Sequence, residues 1–114
     1  MASLRETFGC DHPVALVTGS GAPRVGRVVA MTLAERGYRV VIHANRAREE
    51  AKELAERLQE SGVEAAWVCG DLSDEVTARR LVQEAAANWR RLDVVVNAAA
   101  IWERKPLESV TAGD

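Results

Sequence analysis

The densest run of residues able to do chemistry is Thr18-Gly19-Ser20-Gly21-Ala22-Pro23-Arg24-Val25-Gly26. Its glycines, spaced G-x-G-x-x-x-x-G, allow a tight turn and close approach of backbone to an anionic group. A helical pattern begins at Val25, and a helix start offers unpaired N–H groups and a partial positive charge to a pyrophosphate. A side chain at Gly26 would hold that helix away from the preceding strand. The same glycines could serve an ordinary strand-to-helix turn, but their place between a first strand and an amphipathic helix favours nucleotide binding. No Gly-Lys-Ser/Thr is present, which excludes a P-loop nucleotidase.

A second run, His43-Ala44-Asn45-Arg46-Ala47-Arg48, selects the nucleotide. An NAD site usually places Asp or Glu about 20 residues past the glycines to bind the ribose hydroxyls. No carboxylate appears here until Glu49. Arg46 is placed instead to meet a 2′-phosphate through charge-assisted hydrogen bonds worth about 1.5–3 kcal/mol. The bland alternative is that Arg46 and Arg48 only begin a solvated helix. The expected cofactor is NADP(H), with NADPH preferred over NADH by about tenfold or more. The missing acid also disfavours an S-adenosylmethionine methyltransferase.

The hydrophobic period alternates in a way that positions these runs. Val14–Val17 is a short apolar strand. Val25, Val28, Val29, Thr32 and Leu33 are expected on one face of a helix stopped by Gly37. Tyr38–Ile42 is a second strand, and Ala51, Leu54, Ala55 and Leu58 mark a helix ended by Ser61-Gly62, with Glu53 and Arg57 paired at i,i+4. Glu64–Cys69 is a third strand. Ser73 is the expected N-cap of a helix lined by Ala78, Leu81, Val82, Ala85 and Trp89. Asp93–Asn97 is a fourth strand, whose consecutive valines predict burial on both sides. The order β-α-β-α-β-α-β predicts an α/β, Rossmann-type, doubly wound parallel sheet, partial in extent, with strand order 3-2-1-4. Strand order then reverses between strands one and four, and ligands bind beyond the strand C-termini at that point. Thr18, His43–Arg46, Cys69–Asp71 and Asn97–Ala100 all fall at such ends.

Composition excludes several classes. The chain has 114 residues, enough for one domain, read as a lead-in over 1–13 and a dinucleotide-binding unit over 14–114. A formal net charge of −2 gives no electrostatic case for nucleic acid or an anionic membrane. No apolar run approaches the roughly 18 residues of a membrane span. Met1–Pro13 lacks the apolar core of a secretory signal, so a cytoplasmic location is expected. Cys10 reads as a free lead-in thiol and Cys69 as a buried one. His12 and His43 have no partners at metal-ligand spacing, so no metal is expected.

Four features stand in order: Thr18-Gly19…Arg24-Val25-Gly26, Asn45-Arg46, Gly70-Asp71-Leu72-Ser73 and Asn97-Ala98-Ala99-Ala100. Together, from Val14 onward, they resemble the short-chain dehydrogenase/reductase family. The resemblance implies an NADP(H)-dependent oxidoreductase that moves hydride between nicotinamide and a small carbonyl or imine substrate. It implies that Gly19, Ser20, Arg24, Val25 and Gly26 contact the cofactor phosphates and ribose, and that Asn45, Arg46 and Ala47 contribute at the end of strand two. Asp71 and Leu72 would border the adenine. Asn97, Ala98 and Ala99 would lie along the ribose, with Asn97 also bracing the sheet. The chain departs from the family pattern: its turn is one residue longer than T-G-x3-G-x-G, Arg24 replaces the middle glycine, and Asn-Ala-Ala-Ala replaces Asn-Asn-Ala-Gly. Arg24, His43 and Arg46 are more similar to a pteridine-reductase-like branch with T-G-x3-R-x-G and H-x-x-R.

The family's proton donor is a Tyr in Y-x3-K, which needs help because a free tyrosine titrates near 10. The only tyrosine here is Tyr38, followed four residues on by Ile42, so no catalytic residue is assigned and Tyr38 is read as structural. Thr111–Asp114 has the form of a helix start. The expectation is therefore the N-terminal portion of a longer reductase, homo-oligomeric when whole. The alternatives are a non-catalytic NADP(H)-binding module, or a truncated or split product that needs a second chain. Trp102–Pro106 reads as an exposed loop with an anchoring Trp, or as part of a substrate rim.

Overall fold

The computed structural model describes residues 3–21 and 25–98. Among them, β1 (Val14–Thr18), β2 (Arg39–Ala44), β3 (Ala65–Cys69) and β4 (Val94–Asn97) form one parallel sheet in the order β3-β2-β1-β4. The expected order and alternation are both present. The helices are α1 (Leu4–Phe8), α2 (Val25–Glu35), α3 (Arg48–Glu60) and α4 (Glu75–Ala87).

The core is two apolar layers divided by the sheet. On one side Val17, Val40, Ile42 and Ala44 pack against Ala30 and Ala34 of α2 and Ala51, Leu54, Ala55 and Leu58 of α3. On the other, Val14, Leu16, Val41 and Val68 pack against Leu81 and Ala85 of α4. All five residues of β1 are buried, as a central parallel strand covered on both faces requires. No helix among the described residues is long and apolar enough to cross a membrane.

Four expectations are corrected. The buried stripe of α2 is Gly26, Ala30 and Ala34, with Val29 and Leu33 at its margin, whereas Val25 and Val28 are 69% and 64% exposed. Small residues face inward because the helix lies close to the sheet, a signal that a count of large apolar residues misses. β4 is not buried on both sides: Val95 is 54% exposed, since no described helix covers it on the α4 side. The cap position of α4 is Asp74, not Ser73, because the Ser73 hydroxyl turns back to donate to Asp71 Oδ1 at 2.7 Å. Cys69 is half-buried, its Sγ 3.5 Å from the Asn45 carbonyl.

The lead-in also has structure that its polar sequence conceals. Ser3 caps α1 by accepting from Glu6 N–H at 3.1 Å, and Phe8 meets Tyr38 edge-on with ring centroids 5.9 Å apart. His12 Nδ1–H donates to the Gly37 carbonyl at 2.7 Å, and Arg39 Nε donates to the His12 carbonyl at 2.7 Å. Asp93 joins this end to the sheet. Its Oδ2 accepts from Val14 N–H at 2.8 Å, and Arg91 donates to both carboxylate oxygens while also reaching the Phe8 carbonyl. The Arg91 guanidinium, aided by Val14 N–H and opposed by burial, holds the Asp93 carboxyl below the usual carboxylate range. An Asp93→Asn variant is expected to lose about 1.5–3 kcal/mol in urea unfolding at neutral pH. A depressed carboxyl stabilises above its unfolded pKa and loses that contribution as pH falls. The gap to the native protein should therefore narrow below about pH 4.

Candidate functional site

The turn after β1, the end of β2, the turn after β3 and the end of β4 all lie at the C-terminal edge of the sheet. The turn after β1 is held from inside. Gly19 has φ +67°, and its N–H donates to His43 Nδ1 at 2.9 Å. Ser20 is fully buried, donating through Oγ to the Val17 carbonyl at 2.6 Å and accepting from His43 N–H at 3.2 Å. Gly21 N–H donates to the His43 carbonyl at 3.1 Å. The Ser20 hydroxyl is thus committed inward and does not reach out toward a ligand.

The glycines have distinct reasons. At Gly26 a Cβ would lie 2.8 Å from the Gly19 carbonyl oxygen and 3.2 Å from Ala98 Cβ, so α2 starts in direct backbone contact with the turn. At Gly21 a Cβ would meet Ala44 Cβ and Ala51 Cβ at 3.0 Å each. That glycine lets the turn settle against β2 and α3. Arg24 and Ala99, along with Trp102–Pro106 and Thr111–Asp114, lie outside the described residues.

At the end of β2, the two arginines separate. The Arg48 guanidinium stacks over the Trp67 ring, 5.3 Å from its centroid, a contact worth about 0.5–1 kcal/mol at an exposed site. Arg46 is exposed, and its side chain makes no hydrogen bond or ion pair with the described residues. Asp71 lies near enough to feel its charge. Hydrogen bonds from the Ser73 hydroxyl and N–H, with a smaller contribution from Arg46, hold the Asp71 carboxyl low. Asn45 is exposed, Ala47 packs against the core beside α3, and Leu72 packs into the layer on the α4 side.

The end of β4 is tied to β1. Thr18 Oγ1 is 3.0 Å from Asn97 Oδ1 and 3.3 Å from the Val96 carbonyl, and it accepts from Ala98 N–H at 3.0 Å. Sequence reasoning gave Asn97 a bracing role but missed Thr18 as its partner. It also left His43 without a role. The available signal was a lone polar residue inside Val40-Val41-Ile42-His43-Ala44.

This is a Rossmann-type α/β fold, with a glycine turn and, among the described residues, a guanidinium without a hydrogen bond or ion pair at the edge where such folds bind nucleotides. A family model described as short chain dehydrogenase matches residues 13–114, and the chain belongs to that family. It is 46% identical over 89 residues to a protein of Streptomyces violaceoruber named as ketoacyl reductase 2 of the granaticin polyketide synthase, which covers 78% of this chain and 34% of that one. Among solved structures it is similar to FolM alternative dihydrofolate reductase 1 from Brucella canis complexed with NADP, with 31% identity, a TM-score of 0.74 and coverage of 89% of this chain and 39% of that one. A short chain dehydrogenase from Burkholderia cenocepacia in complex with NADP gives 30% identity, a TM-score of 0.75 and coverage of 90% and 41%. The chain therefore spans well under half the length of each of these proteins.

Gly26→Ala tests the close approach. Pressing a methyl against backbone costs about 1–3 kcal/mol, against the roughly 1 kcal/mol that alanine's helix propensity returns. The expected net result is a lower midpoint in thermal unfolding. Unchanged or raised stability would show that α2 does not start on the turn.

Proposed function

We propose that the protein is the cofactor-binding part of an NADP(H)-dependent oxidoreductase of the short-chain dehydrogenase type, moving hydride to or from a carbonyl or imine carbon of a small molecule. The observation that carries this reading is Arg46. It is an exposed cation at the end of β2, without a hydrogen-bonded or ion-paired side-chain partner among the described residues, at a position where an NAD site would put a carboxylate. Arg48, the competing cation, is engaged by Trp67. The NADP complexes of the Brucella canis and Burkholderia cenocepacia proteins support the same cofactor.

The residues present fit such a group. The contact of Gly26 with the Gly19 carbonyl brings backbone, not side chain, to the place a pyrophosphate needs. The backbone of Gly19 to Gly26, with Arg24 and Val25, would hold the pyrophosphate. Arg46 would bind the 2′-phosphate, flanked by Asn45 and Ala47. Asp71 and Leu72 would border the adenine, and Asn97, Ala98 and Ala99 the ribose. When bound, the nicotinamide supplies or accepts hydride at C4. Ser20 holds the turn from below, and Asn97 keeps the end of β4 in register with Thr18.

Tyr38 takes no part in proton transfer. It stands before β2, at the opposite end of the sheet, packed on Phe8. The second reading is a binding module without chemistry of its own. Oxidation of NADPH with a panel of ketones, quinones and pterins, run on the full-length product of the source gene, separates the two: turnover supports the enzyme, and retained binding with zero turnover supports the module.

In calorimetric titration, NADP+ is expected to bind about tenfold or more tightly than NAD+. Arg46→Ala should remove that preference and leave NAD+ affinity within about twofold, whereas Arg48→Ala should preserve it. Equal affinity for both nucleotides in the native protein would overturn the NADP(H) assignment.

A further inference from the structure

His43 is the buried titratable group that the cofactor reading leaves unused. It is 2% exposed and stands between the glycine turn and β3. Gly19 N–H can only donate, so Nδ1, at 2.9 Å, must carry a lone pair. The Gly70 carbonyl can only accept, so Nε2, at 2.9 Å, must carry the proton. The partners thus select the neutral ring protonated on Nε2 and satisfy both of its nitrogens. The backbone of the same residue is equally engaged, its N–H donating to Ser20 Oγ and its carbonyl accepting from Gly21 N–H. One residue therefore fixes Gly19, Ser20 and Gly21, and through Gly19 the surface on which Gly26 and α2 rest.

We propose that His43 is a positioning residue for the cofactor: its neutral, Nε2-protonated ring holds the glycine turn in the binding shape, and protonation releases that turn and weakens nucleotide binding. The inference rests on the NADP(H) reading for its ligand, but the hold on the turn stands on geometry alone. A proton added at Nδ1 would point at Gly19 N–H, donor against donor, and the ring or the peptide would have to turn away. Burial lowers the His43 pKa, with the Gly70 carbonyl opposing. The ionisable groups around it are Cys69 and Asp71 on either side of Gly70, Arg46 beyond its own strand, and Arg80 of α4. Arg80 Nη2 lies 3.3 Å from where a Cβ on Gly70 would sit. The described glycine turn, Thr18 to Gly21, brings no ionisable side chain.

The sign of the effect separates this role from simple electrostatics. If the nucleotide prefers the neutral ring, affinity falls as pH drops through the pKa of His43, which burial sets below the ordinary histidine value of about 6.5. If a charged ring merely attracted the pyrophosphate, affinity would rise instead. The 2′-phosphate itself titrates near pH 6, so NAD+, which lacks it, is the cleaner probe. The experiment is calorimetric titration of the protein with NAD+ and with NADP+ between about pH 8 and pH 5, beside His43→Asn, which has no titrating ring. The native protein is expected to lose NAD+ affinity progressively toward the acid end, and the variant should show a flat profile. A flat or rising native profile, or an equal loss in the variant, would overturn the proposal.

Nitrogen-15 NMR of the native protein keeps the test decisive if the variant does not fold. It should show Nε2 protonated and Nδ1 bare at about pH 8, with the Gly19 amide shifting as the ring titrates. A ring protonated on Nδ1, or a Gly19 amide indifferent to titration, would sink the positioning role. Failure of either nucleotide to bind at any pH would instead sink the NADP(H) reading, and the NMR result would still decide what His43 holds.

Discussion

The site depends on one constraint: a glycine turn cannot hold a fixed shape by itself. Glycine loses more conformational entropy on ordering than any other residue, so a turn built from Gly19 and Gly21 needs hydrogen bonds from neighbouring elements to define it. The structure supplies them from β2. The His43 ring, its N–H and its carbonyl meet Gly19, Ser20 and Gly21 in turn, and Nε2 ties the assembly to Gly70 after β3. Thr18 does similar work toward β4 through Asn97 and Ala98. Three strand ends are thereby fixed to the turn at the end of β1. In a low-dielectric setting such a satisfied network is strong, and a missing partner is correspondingly costly.

The two ends of the sheet divide the labour. At the N-terminal ends, α1, His12, Arg91 and Asp93 close the structure with charged and aromatic contacts that belong to stability. At the C-terminal ends the buried groups are satisfied internally while Arg46 remains exposed. An exposed charge costs little to keep unpaired, and among the described residues Arg46 has no salt bridge that an anionic ligand would first have to break. Arg48 shows the contrast: two residues on, the same side-chain type is spent on Trp67.

Much of this was legible in the sequence. Strand order followed from the alternation of short apolar runs and helical periods, because parallel strands need crossovers and crossovers fix neighbours. The close approach at Gly26 was legible because no other residue type permits it. What was not legible depended on partners distant in sequence. Nothing local distinguishes Gly21, which packs on Ala44 and Ala51, from a glycine that faces a phosphate. Nothing marks Ser20 as inward-facing until β2 is placed beside it. The α2 stripe was not legible because periodicity weights large apolar residues, while tight helix–sheet contact selects Gly26, Ala30 and Ala34. The valines of β4 signalled a buried strand, yet burial is a property of what covers a strand, and Val95 is half-exposed in the described structure.

The most direct test of the central claim is a crystal structure of the protein with NADP+. The account predicts the pyrophosphate against the backbone between Gly19 and Gly26 and the 2′-phosphate within hydrogen-bonding distance of Arg46, with His43 still bonded to Gly19 and Gly70. A nucleotide bound elsewhere, or one whose 2′-phosphate turns away from Arg46 while the turn opens from His43, would contradict it.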